Sequence, residues 1–138
     1  MTFSSHVTGL VRSTLRLEGL AVLFLSVLVY SRTDLGAGRF AALFLLPDLS
    51  FLGYLAGPRA GATAYNAAHS LLGPLLLAAL ALVFGVPTLL PYLCIWTSHI
   101  GFDRALGYGL KYGSAFGHTH LGVVGRATVA PAATTQAA

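Results

Sequence analysis

Four apolar stretches follow one another in this chain with almost no residues between them, each near the length that a helix needs to cross a hydrocarbon layer of about 30 Å. They fall at about 13–31, 39–56, 60–84 and 88–110. Lipid offers no water to a stray backbone N–H or C=O, so stretches of this kind can cross only as helices. The breaks between them carry helix-ending residues: the polar turn Arg32-Thr33-Asp34-Leu35-Gly36-Ala37-Gly38, then Gly57-Pro58, then Gly85-Val86-Pro87. The expected fold is all-α, an integral membrane four-helix bundle with short loops, forming a single transmembrane domain over 1–126. Residues 127–138 are rich in Ala, Thr and Pro with no aromatic, and are expected to be a disordered tail.

Composition agrees, since 56% of residues are hydrophobic and only 9% charged, far from the profile of a soluble domain. The formal charge of +4 is not the footprint of a nucleic-acid binder, because the basic residues sit near helix ends or in tails without clustering. Their distribution speaks to topology instead. With four crossings, Arg12, Arg16, Arg59, Arg104, Lys111 and Arg126 share one side and only Arg32 and Arg39 the other, which makes both termini cytoplasmic in a bacterial inner membrane. Glu18 interrupts the first stretch and no Ala-x-Ala site follows Tyr30, so this segment reads as a retained helix rather than a cleaved signal. Cys94 is the sole cysteine and lies in an apolar stretch, which excludes an intramolecular disulfide. No phosphate-binding loop, nucleophile elbow or zinc-finger cysteine spacing occurs, which argues against nucleotide hydrolysis and Ser-His-Asp chemistry.

Ionisable side chains are expensive in hydrocarbon and mark candidate working parts. Helical rise from the cytoplasmic ends puts Asp48, His69, His99 and Asp103 within roughly 6 Å of one level. Tyr65, Asn66 and His69 share a helix face, and so do His99 and Asp103 at i,i+4. Imidazoles and carboxylates drawn from facing helices suit a divalent metal such as zinc, iron or manganese, so Asp48, His69, His99 and Asp103 are the candidate ligands. Tyr65, Asn66, Arg104, His118 and His120 are candidates to surround them. Glu18, turned inward if Arg12 and Arg16 reach for headgroups, is a candidate proton shuttle.

The same residues have plainer readings. Asp103 can pair with Arg59, His69 can bond a carbonyl freed near Pro74, and Asp48 can cap a kink at Pro47. A proton or ion path is a third option, and haem between His69 and His99 a fourth, made less comfortable by the two carboxylates. For His118 and His120, after the last stretch, solvated or loop-packed rings are expected, with a lid over the site as the sharper alternative. Tyr92, Trp96, Tyr108 and Tyr112 read as an interfacial belt or core.

The strings Pro47-Asp48-Leu49-Ser50 to Gly53-Tyr54, Tyr65-Asn66-x-x-His69, His99-Ile100-Gly101-Phe102-Asp103-Arg104 with Gly107-Tyr108-Gly109-Leu110-Lys111-Tyr112, and Thr119-His120-Leu121-Gly122 resemble the signature of a family of small bacterial membrane proteins, domain-of-unknown-function family 4260 (DUF4260). The resemblance runs from about Leu15 to Gly122, and the long string around His99 is its specific part. It implies a short multi-helix membrane protein and brings no established activity. A looser similarity in style links the chain to membrane-bound metal-dependent hydrolases, none of whose motifs it carries. Two functions stay open: a metal-dependent, hydrolase-like site acting on a lipid-like substrate, or a non-catalytic accessory or scaffolding subunit whose polar residues fix helix register. The expected partners are the lipid bilayer and a larger membrane complex or further copies of the chain, with no nucleic acid.

Overall fold

The computed structural model describes residues 7–114 and 116–124; the tail 127–138 and Arg126 lie outside the described residues. The chain is mostly helical. Helix α1 spans Gly9–Tyr30, α2 Gly36–Phe44, α3 Pro58–His69, α4 Leu72–Val83 and α5 Leu90–Leu106, with 3-10 winding over Leu46–Ala56 and Pro87–Leu89. A two-stranded antiparallel hairpin, β1 His118–Thr119 and β2 Gly122–Val123, closes the described chain. Gly9–Tyr30 and Gly36–Ala56 are long and apolar enough to cross a membrane, and α3 with α4, bent by 42°, makes a third span if taken as one.

Two of the four expected helices are therefore not continuous, and proline accounts for both departures. A proline ring clashes with the carbonyl four residues before it and removes one helical donor. Pro74 places that clash at Ser70, where the backbone turns extended (φ −89°, ψ 134°), so 60–84 is two helices rather than one. The Leu72 N–H at the start of α4 is met by Ser70 Oγ at 3.2 Å. Pro47 places the clash at Leu43, and α2 ends one residue later. The expected kinked helix 39–56 instead resumes as eleven residues of 3-10 winding. The fourth stretch stops at Leu106 rather than at 110, because Gly107 takes a left-handed conformation (φ 97°) that returns its N–H to the Arg104 carbonyl.

The long 3-10 segment matters for the site. Three residues per turn stack side chains i and i+3 above one another. Asp48, Phe51 and Tyr54 thus form one row, Leu49, Leu52 and Leu55 a second row that is fully exposed, and Ser50 and Gly53 a third. The first row faces α3, where the Phe51 and Tyr65 rings are 5.2 Å apart. Gly53 and Gly61 permit this closeness: a Cβ on Gly53 would lie 2.7 Å from Ala64 Cβ, and one on Gly61 would run into the Tyr54 ring.

Helices α1 and α5 meet just as closely. A Cβ on Gly101 would fall 2.6 Å from the Leu23 nitrogen and 2.8 Å from the Gly19 carbonyl, backbone atoms that cannot give way. Small residues at a crossing are how helices associate where lipid removes the hydrophobic incentive. Most leucines point outward accordingly, while Ile95, Ile100 and Leu121 are fully buried together with Tyr65, His69, Ser98 and His99.

After α5 the chain folds back. Asn66 clamps it, donating through Nδ2 to the Lys111 carbonyl (2.8 Å) and accepting the Lys111 N–H at Oδ1 (2.7 Å). His120 Nδ1 accepts the Leu110 N–H at 2.9 Å, and the Val7 N–H donates to the His120 carbonyl at 2.9 Å. Arg16 Nε donates to the Ala105 carbonyl at 2.8 Å, Arg12 lies against Gly107 and Gly122, and Arg59 lies beside Gly113. Basic side chains thus gather where α5 ends and α1 and α3 begin.

Candidate metal centre

The motif Tyr65-Asn66-x-x-His69 assigns each of its members a task. His69 Nδ1 lies 2.9 Å from the Tyr65 carbonyl, an atom that can only accept, so Nδ1 carries a proton and in the neutral ring Nε2 keeps its lone pair. The Tyr65 ring stacks on the imidazole (centroids 3.8 Å, 12° between planes), and its hydroxyl donates to Asp103 Oδ2 at 3.0 Å. Asn66 turns the other way and holds the returning chain at Lys111.

His69 Nε2 faces a second imidazole nitrogen and two carboxylates. It lies 3.1 Å from His99 Nε2, 3.4 Å from Asp48 Oδ1 and 3.6 Å from Asp103 Oδ2. His99 Nε2 lies 3.5 Å from Asp48 Oδ1 and 3.9 Å from Asp103 Oδ2. Both imidazoles are fully buried, and the His99 ring packs edge-on against Phe44 at 5.2 Å. His99 Nδ1 is buried with no hydrogen-bond partner among the described residues. Facing lone pairs and carboxylates repel unless a proton or a cation sits among them.

The donor atoms of Asp48, His69 and His99 all lie within 4.8 Å of one another, close enough to share one ion. Their separations are more telling. Tetrahedral bonds of about 2.0–2.1 Å hold neighbouring ligand atoms about 3.3 Å apart, and the three edges here are 3.1, 3.4 and 3.5 Å. The residues present fit such a group. Asp103, expected as a fourth ligand, stands slightly further off, 3.6 and 3.9 Å from the two Nε2 atoms, and is held by the Tyr65 hydroxyl.

The surrounding candidates divide. Arg104 Nη2 donates to the His69 carbonyl at 3.1 Å and Nη1 to the Tyr108 carbonyl at 3.1 Å, tying the end of α5 to α3 rather than pairing with Asp103. His118 bonds Ser114 Oγ at 3.1 Å, and His120 braces Leu110, so both imidazoles hold the hairpin and neither joins the cluster. Burial lowers the pKa of His120, and the charge of Arg104 adds to that. Glu18 is exposed on α1 and lines a separate cavity of about 350 Å³ with Arg104 and His120. Of the plainer readings, His69 does bond a carbonyl, but that of Tyr65 rather than one near Pro74, and Trp96 Nε1 takes the Ala68 carbonyl at 2.6 Å.

Sequence reasoning passed over Lys111, which it used only as a topology marker. Its ammonium is enclosed by aromatic rings, 3.3 Å from the centroid of Phe116, 4.6 Å from Tyr65, 4.7 Å from Phe51 and 5.5 Å from Tyr54. Burial pushes its pKa down to about 8, against the opposing pull of Asp103 and Asp48. With Asp48 and Asp103 it lines a cavity of about 360 Å³, roofed by Phe116, Thr119 and Val124 of the returning chain. The signal was its place five residues beyond α5, directly after the His99 to Arg104 string.

Fold and site together define a mostly helical, lipid-suited chain with a buried His/Asp cluster able to hold a metal ion. The chain belongs to the family described as Domain of unknown function (DUF4260), whose model matches residues 12–124. No curated protein and no solved structure matches it.

Proposed function

We propose that the protein is an intramembrane metal-dependent hydrolase acting on a lipid-like substrate, with Asp48, His69 and His99 as the ligands of a zinc-type ion. The observation that carries this reading is the triangle of atoms suited to binding a metal, with edges of 3.1, 3.4 and 3.5 Å, one of whose corners keeps its lone pair in the neutral imidazole that the Tyr65 carbonyl orients. An ion held by these three residues would supply an activated water, its pKa lowered to about 7. Asp103, oriented by the Tyr65 hydroxyl and lining the same cavity as Asp48, would serve as general base. It would take one proton from the attacking water and return that proton to the leaving oxygen as its bond breaks. The cavity in front of Asp48 and Asp103 is the substrate's place.

In this reading the helices make four crossings, with α3 and α4 as one broken span and α5 the last, and both termini are cytoplasmic in a bacterial inner membrane. The gathering of Arg12, Arg16, Arg59 and Lys111 around the end of α5 supports that orientation. The site then opens toward the cytoplasmic leaflet. Metal analysis of the purified protein, followed by turnover assays on ester and phosphoester lipids with and without chelator, tests the reading; activity that survives complete metal removal rejects it.

A further inference from the structure

We infer that Lys111 is the anion-binding residue of this site and that the molecule it receives is a membrane lipid carrying a singly charged phosphodiester. Its ammonium lines the same cavity as Asp48 and Asp103. Four aromatic rings enclose it, and no described carboxylate pairs with it within 4.0 Å. Such rings attract a cation but leave its hydrogen-bond donors unused. The Asn66 clamp on the Lys111 backbone fixes where the side chain starts.

The acids of the chain explain why the partner must come from outside. There are four in all. Asp34 sits in the turn between α1 and α2, Glu18 lines a different cavity, and Asp48 and Asp103 belong to the cluster. Resting on the metal reading above, the charge balance is simple: two carboxylates offset a divalent ion, and Lys111 leaves one positive charge in a poorly solvated space. A phosphodiester carries one negative charge and matches it. A phosphomonoester carries more, and a free fatty carboxylate has no bond for water to cut.

The apolar surroundings point to a lipid as the bearer of that group. Phe51, Phe116 and Val124 line the cavity beside the charged residues. A second cavity of about 520 Å³, lined by Leu43, Leu46, Pro47, Ala68, Leu93 and Trp96 among others, begins one residue before Asp48 and one before His69. A charged cavity at the cluster and a largely apolar one beside the residues that precede Asp48 and His69 make an arrangement that suits an amphiphile with its head at Lys111.

The full-length protein in dodecyl maltoside, loaded with zinc, can be titrated with dihexanoyl phosphatidylglycerol, dihexanoyl phosphatidic acid, uncharged dihexanoylglycerol and dimethyl phosphate, with zinc per chain measured in each sample. The phosphodiester lipid is expected to bind at least tenfold more tightly than each of the other three. Lys111→Met should erase that preference with zinc content unchanged, and Lys111→Arg should keep most of it. Wild type that binds the uncharged lipid equally well overturns the inference whatever the variants do. Phosphatidic acid binding as tightly as the diester overturns the single charge, and dimethyl phosphate binding as tightly as the lipid overturns the membrane source. Normal zinc with no anion preference removes the role of Lys111 alone; a wild type that takes up no zinc removes the charge balance and the metal reading together.

Discussion

Helices α3 and α4 are twelve residues each, joined by a 42° bend, and they are built on opposite principles. Helix α3 buries Gly61, Ala62, Tyr65 and His69, a stripe of small and polar residues directed at the 3-10 segment and α5. Helix α4 is almost wholly aliphatic, yet Leu72, Leu75, Leu76 and Leu82 are exposed and only Pro74 and Ala81 are buried. In water the second helix would be the core and the first the surface. In lipid the order inverts, because leucine gains nothing by leaving hydrocarbon for protein while an imidazole or phenol loses heavily if it faces the tails. The specific interior of this protein is its polar arm.

That contrast can be broken most severely at His69. His69→Ala removes a corner of the acceptor triangle, and metal affinity is expected to fall by more than about a hundredfold, beyond the 10–100-fold typical of supporting residues. Inductively coupled plasma mass spectrometry on the purified variant reads this directly. Retention of full metal would show that the polar arm is packing glue. Next comes Tyr65→Phe, which keeps the ring stacked on His69 and the carbonyl on Nδ1 but deletes the hydroxyl that orients Asp103. Turnover should drop about 10–100-fold with metal largely retained; an unchanged rate would exclude Asp103 as an oriented base.

A smaller effect belongs to pH. Lys111 titrates near pH 8 in the folded protein, and only its protonated form attracts an anion. The preference for the phosphodiester lipid should therefore be full below pH 7 and fade as pH rises through about 8, by roughly tenfold for each unit beyond. A preference constant to pH 10 would place the anion elsewhere. The smallest effect is expected on the apolar arm, where Leu76→Ala changes only an exposed apolar surface. Metal content and monodispersity should match wild type; loss of either would show that α4 docks against protein, as a scaffolding subunit would.

The same contrast explains what the sequence revealed. His99 and Asp103 were legible as one face, as were Tyr65 and His69, because helical spacing converts directly into facing; Asp48 was placed by depth alone, singled out with the others by the cost of charge in lipid. The break at Ser70 was legible in principle, since Pro74 forbids an α-helical carbonyl at that position. The 3-10 winding of Leu46–Ala56 was not. An apolar run containing one proline has the same pattern whether it kinks or rewinds, and only contact with α3 through Gly53 and Gly61 selects the row Asp48, Phe51, Tyr54. Lys111 escaped for a related reason. A lysine just beyond a membrane helix reads as a headgroup anchor, and its enclosure depends on Asn66, forty-five residues earlier, folding the chain back.

The most direct test of the central claim is to measure the metal content of the wild-type protein, purified without chelator, together with X-ray absorption at the metal edge. The account predicts about one ion per chain, with two imidazole nitrogens and a carboxylate oxygen at roughly 2.0–2.2 Å, as a three-ligand zinc site requires. Protein that is metal-free as isolated and takes up no zinc, iron or manganese on addition would contradict it.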